Sequence, residues 1–188
     1  GYGPAWEPEA ERRGLLNNKD TADATEVFFE QKNIDVFVNQ GVYTEQEAVA
    51  RAMVRLENYV KIINIEAVTM LKMAKQDIIP AVSDYIAELC SNVAAKQAIS
   101  QNIPYETEKD LIVRLSDLND KFGLEVKKLE KILSGINKED VRPASKAMAH
   151  EVIPQMQAVR KIADEMETLT SEDYWPYPSY TEILYSVK

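Results

Sequence analysis

From Val49 onward, apolar residues recur in steps of four and three: Val49, Met53, Leu56, Val60, Ile63, Ala67, Met70 and Ala74. That spacing keeps one face of a helix apolar for about seven turns. Ala52, Tyr59, Ile62 and Leu71 widen the stripe, as a bundle helix needs and a two-stranded coil does not. Thr44-Glu45-Gln46-Glu47 supplies a capping box at its start, with Thr44 at the N-cap and Glu47 reaching back. Pro80 has no amide hydrogen and interrupts the ladder. The pattern nevertheless resumes with Val82, Tyr85, Ile86, Leu89, Val93 and Ala94, which reads as one long helix kinked near Pro80.

Two more stripes follow. Asn102-Ile103-Pro104 makes a turn, and Thr107-Glu108-Lys109-Asp110 caps the next helix. Its apolar face is Leu111, Leu115, Leu118, Phe122, Val126, Leu129, Leu133 and Ile136, and Ser134-Gly135 ends it. Gly123 lies inside and costs about 1 kcal/mol relative to alanine. Asp140 caps a last long helix, with Pro143 in its first turn. Met148, Val152, Met156, Val159, Ile162 or Ala163, Met166 and Leu169 form its stripe, and Pro154 kinks it. Short links between long helices make antiparallel neighbours. The fold class is all-α: an antiparallel bundle of three long helices over residues 44–170.

The flanks differ from the bundle. Residues 1–43 read as short helices that pack on it. Trp6 to Gly14 is one, with Pro8 near its start, acids ahead of Arg12 and Arg13, and Gly14 as the stop. Asp20 to Phe29 is a second, capped by Asp20 or Thr21, and Asn33 to Asn39 is a third that ends near Gly41. Residues 171–188 form a Pro/aromatic tail that holds four of the nine tyrosines and one of the two tryptophans. Pro176 and Pro178 keep it extended, and Ser179 and Glu182 cap a final short helix carrying Ile183, Leu184 and Tyr185. So much aromatic surface is costly in water, so the tail is expected to dock, through Trp175, Tyr177, Tyr180, Leu184 and Tyr185.

Composition narrows the function classes. The 188 residues carry 31 acids and 22 bases, a net charge of -9. That disfavours nucleic acid and anionic membrane surfaces, both of which need basic residues. No apolar run reaches the roughly 18 residues of a membrane span, and no signal-type start is visible. A cytoplasmic setting fits. Cys90 alone excludes an internal disulfide, and within its apolar pattern it reads as a buried thiol. The chain opens without methionine and reads as an excised C-terminal piece of a longer protein, ending naturally at Lys188.

Candidate chemistry is sparse. His150-Glu151 opens like a zinc-protease helix, but Pro154 stands where the second histidine is needed. Ala147 stands where a di-iron motif needs glutamate. His150 therefore reads as a surface or cap-packing residue. Asp117 to Gly123 faintly resembles a calcium loop, but its glycine is one place late and Lys121 takes a ligand position. No Gly-rich phosphate loop, nucleophile elbow or Cys-His pair is visible. Glu66 reads as an edge-of-stripe residue, with a buried anchor or a regulatory site in a larger protein as the other possibility. No catalytic, cofactor-binding or metal residue is assigned.

Three stretches carry a family likeness. The first is Trp6-Glu7-Pro8-Glu9-Ala10-Glu11-Arg12-Arg13-Gly14-Leu15. The second is Tyr59-Val60-Lys61-Ile62-Ile63-Asn64-Ile65-Glu66-Ala67, with Met70-Leu71 and Ile78-Ile79-Pro80-Ala81. The third runs from Ala163 to Leu169 and on through Trp175-Pro176-Tyr177-Pro178-Ser179-Tyr180 and Glu182-Ile183-Leu184. Together they resemble the C-terminal region of type III glutamine synthetases, least over residues 95–145. Those enzymes ligate ammonia to glutamate at the expense of ATP, with divalent metal such as magnesium, as ring-shaped oligomers whose catalytic half precedes this region. The resemblance implies a non-catalytic helical appendage, inactive alone, that supports assembly or stability. Its implied partners are the catalytic core of the same chain and the other subunits of a homo-oligomer. ATP and metal would belong to the full enzyme. The heptad stripes suit a free-standing helical interaction or adaptor bundle equally well.

Overall fold

The computed structural model describes residues 3–185, apart from the side chain of Tyr180. Among them every regular element is helical. The chain forms two compact units, one from residues 1–64 with 136–151, the other from 65–135 with 152–188.

In the first unit, α1 (Trp6–Arg12) carries Pro8 in its first turn, where the missing amide costs nothing. Glu9 accepts hydrogen bonds from both Arg12 and Arg13. Gly14, at φ +68°, turns the chain away. Helix α2 (Thr21–Glu26) is capped by Asp20, whose Oδ1 accepts the Asp23 amide at 2.8 Å. It tightens into a 3-10 turn at Val27–Phe29, and α3 (Gln31–Asn39) stops before Gly41 at φ +64°. Helix α4 (Glu45–Met73) opens with the expected capping box: the Thr44 amide donates to Glu47 at 2.8 Å, and the Glu47 amide to Thr44 Oγ1 at 3.3 Å. Ala48, Ala52, Leu56, Val60 and Ile63 are its buried face here. Helix α7 (Val141–Ala147) packs on α2. Asp140 stands at its N-cap, but the side chain makes no capping bond.

In the second unit, α6 (Glu106–Gly135) packs against both α5 (Ile79–Ile99) and α8 (Ile153–Leu169), giving the bundle expected from the stripes. Leu115, Leu118, Phe122, Val126, Leu129 and Leu133 are all buried along α6, so the four-three spacing does put one continuous face inside. Val82 and Leu89 face it from α5, Val159 and Met166 from α8. Lys75 with Glu130 at 2.6 Å and Arg114 with Glu165 at 3.1 Å tie the helices at their rims. Helix α6 starts at Glu106, so Thr107 lies inside the first turn rather than capping it.

The two proline interruptions have one structural answer. A π turn spans Ala74–Ile78 ahead of Pro80, and another spans Met148–Val152 ahead of Pro154. Each ends two residues before its proline. A proline ring clashes with the carbonyl four residues back, here Gln76 or His150, and offers it no donor. Widening the turn moves that carbonyl aside while the helical path continues.

Three side chains differ from expectation. Cys90 is exposed, because it sits one residue past buried Leu89 and is carried about 100° round the helix. Ile62 follows the same logic beside buried Ile63. Ala94 is exposed as well. Glu66 is exposed, as an edge residue should be. Among the described residues, no helix is long and apolar enough to cross a membrane.

Candidate functional site

The tail meets the second unit at a π turn. Helix α8 ends as Thr170 becomes extended, its buried hydroxyl donating to the Met166 carbonyl at 2.8 Å. The amides of Tyr174 and Trp175 both donate to the Ser171 carbonyl at 2.9 Å, folding the chain back. The Tyr174 ring then lies against Tyr85 of α5, centroids 5.2 Å apart and tilted by 45°. Two residues past that turn, flanked by Pro176 and Pro178, Tyr177 donates from Oη to Asp77 Oδ2 at 2.8 Å. Asp77 is part of the Ala74–Ile78 π turn. Burial pushes the Tyr177 phenol up to about 12, and the Asp77 carboxylate adds to the shift. The phenol therefore stays protonated at neutral pH and works as a hydrogen-bonded latch, not as a base.

Beyond the latch the tail changes character. A second capping box starts α9 (Tyr180–Tyr185): the Ser179 amide donates to Glu182 at 2.7 Å and the Glu182 amide to Ser179 Oγ at 3.3 Å. Leu184 is 71% exposed and Tyr185 76% exposed. The five tail residues singled out from sequence thus fall into two groups. Trp175 and Tyr177 are half-buried, whereas Leu184 and Tyr185 face solvent. Tyr180 opens α9, and its side chain lies outside the described residues.

His150 joins the first unit's capping network. Its Nε2 is 3.1 Å from Asp20 Oδ2 and 3.4 Å from Asp23 Oδ2. Burial pushes the Asp20 carboxyl up, but the Asp23 amide and His150 outweigh it and hold it below the usual aspartate range. These three residues could offer a cation three ligand atoms. The donor set does not fit magnesium, which takes oxygens in octahedral array, and Asp20 is already engaged as a helix cap. Nearby, Arg142 grips Glu26 through two nitrogens, Nε at 3.0 Å and Nη2 at 2.6 Å, and lies over the Phe29 ring at 4.6 Å. Its guanidinium holds the Glu26 carboxyl below its ordinary range. Neither Asp77 nor the Glu26–Arg142 pair is marked in the sequence, because each contact joins residues at least a hundred positions apart.

Comparison with known proteins places the chain in a family. The family model for the glutamine synthetase C-terminal domain matches residues 1–97. A glutamine synthetase of Butyrivibrio fibrisolvens is 31% identical over 192 residues, covering 100% of this chain and 27% of the relative. One from Bacteroides fragilis is 26% identical over 99% of the chain and 26% of its own length. A type-3 glutamine synthetase of Dictyostelium discoideum is 27% identical over 98% of the chain and 26% of its own length. The chain spans about a quarter of the length of these curated relatives. The family model stops near where the motif resemblance thins, while the three relatives cover 98–100% of this chain. The chain belongs to the glutamine synthetase C-terminal domain family.

Proposed function

We propose that these residues are a non-catalytic helical domain of a type III glutamine synthetase and that they support subunit assembly or stability. On this reading the ligation of ammonia to glutamate, with its ATP and magnesium, is carried out by another region of the same protein in the cytoplasm. The partners are that catalytic region and further copies of the protein. Support comes first from the relatives, which match this chain over only a quarter of their length. The observation that carries an assembly role is the end of the tail. A latch at Tyr177 and a capping box at Ser179 precede a helix that leaves Leu184 and Tyr185 in water. Burying Leu184 alone is worth roughly 1.5–3 kcal/mol. Ile65 and Val68, three residues apart on α4, are exposed at 64% and 51% and offer a further apolar contact.

The test is to delete residues 174–188 from the intact protein and measure oligomer mass, melting temperature and ligase activity together. A smaller assembly or a clear loss of stability supports the reading. An intact assembly with unchanged melting and activity would sink it.

A further inference from the structure

Seven arginines occur in this acidic chain. Five of them, Arg12, Arg13, Arg114, Arg142 and Arg160, have a carboxylate partner within 4 Å. Arg51 and Arg55 have none among the described residues. They lie four apart on α4, hence on one face, one turn from each other. The acid nearest Arg51 in sequence, Glu47, is held by the Thr44 amide and hydroxyl, and Arg51 is the weakest of the influences on it; the acid nearest Arg55, Glu57, pairs with Lys61 at 3.4 Å.

Both guanidiniums lie over aromatic rings instead of beside carboxylates. Arg51 lies over the Tyr43 ring at 4.5 Å and Arg55 over the Phe28 ring at 5.1 Å. Neither guanidinium has a hydrogen-bond acceptor among the described residues, so its N–H donors remain available. The two arginines border a cavity of about 520 Å³ in the first unit. Buried Ala48 and Ala52 form its floor, small enough to leave the space open. Phe28, Phe37 and Tyr43, each half-buried, form its walls together with exposed Val54. The volume falls within the range of roughly 300–1,000 Å³ usual for small-molecule sites.

From this geometry we infer a binding site for a small aromatic anion, a flat ring system bearing a carboxylate, sulfonate or phosphate. The ring lies against Phe28, Phe37 and Tyr43, and the acid group is held by Arg51 and Arg55. Two unneutralised cations beside an open aromatic wall select for charge and flatness together. The site is separate from the tail latch and independent of any assembly role.

The test uses the intact protein, with 8-anilinonaphthalene-1-sulfonate as the anionic probe and uncharged N-phenyl-1-naphthylamine as its comparator, both followed by fluorescence. Saturable binding of the sulfonate is expected, weakened at least tenfold by Arg51→Gln with Arg55→Gln and weakened by salt. The neutral probe is expected to change less than twofold in the same variant. Val54→Trp, which fills the cavity from an exposed position, is expected to abolish the site for both probes. Circular dichroism confirms that each variant keeps its fold. Sulfonate binding unchanged by the arginine pair, unchanged by Val54→Trp, or absent from the intact protein would overturn the assignment.

Discussion

Tyr177 donates its phenolic hydrogen to Asp77 at 2.8 Å, across 100 residues of sequence, and the acceptor lies in a π turn. The widening that Pro80 enforces and the acceptor that the tail uses therefore occupy the same five residues. Removing the hydroxyl in Tyr177→Phe leaves Asp77 without this donor while keeping the ring's packing. The expected cost is about 1 kcal/mol, at the low end for a charged acceptor because both groups are only half-buried. Denaturant melts of the two proteins at pH 7 measure it.

The same pair predicts an alkaline dependence. The folded Tyr177 pKa, about 12, lies above the unfolded value of about 10. Its contribution is therefore complete below pH 10 and is lost as pH rises through 12. The stability gap between wild type and Tyr177→Phe should stay constant from pH 7 to 9 and narrow above pH 10. A gap that widens there would contradict the latch.

Acid works in the opposite direction on the first unit. Arg142 holds the Glu26 carboxyl below its ordinary range, and the Asp23 amide and His150 hold Asp20 below its own against the upward push of burial. Both contributions are present above the unfolded values near 4 and fade as pH falls through the folded ones. Arg142→Ala should cost about 1 kcal/mol at pH 7, discounted for the solvent that reaches both groups, and less as pH falls and Glu26 protonates, down to what the Phe29 contact contributes. Arg142→Lys should not restore the loss, since an ammonium cannot make the fork or stack on Phe29 in the same way. Melts of the three proteins across pH 2–7 read this directly.

Gly123 sits inside α6, and a Cβ there would meet nothing within 4 Å. Gly123→Ala should therefore stabilise the bundle by about 0.5–1 kcal/mol, from helix propensity alone. A destabilised variant would mean that a Cβ at position 123 does meet a neighbour.

Much of the bundle is legible in the sequence, because burial along a helix follows a period that any stretch of Leu115 to Leu133 displays. Caps are legible too: Thr44 with Glu47 and Ser179 with Glu182 are local pairs whose chemistry needs only three residues. Cys90 and Ile62 show the limit of that reading. Each adjoins a buried residue, and one step along a helix is enough to reverse its exposure. Pro80 and Pro154 announce an interruption but not its form, since a kink and a π turn both relieve the same clash. The Tyr177–Asp77 latch and the Glu26–Arg142 fork depend on long-range geometry that leaves no periodic trace. Arg51 and Arg55 look like ordinary solvated helix residues until the absence of a carboxylate beside them is seen.

On the proposed function, the exposed end of the tail makes a subunit contact. Light scattering on the intact protein carrying Leu184→Ser and Tyr185→Ser tests this. These substitutions leave the Tyr177 latch and both capping boxes untouched. A smaller assembly is expected, or one that dissociates at about tenfold higher protein concentration, with no change in helix content. An assembly of the same mass that resists dilution as well as the wild type would contradict it.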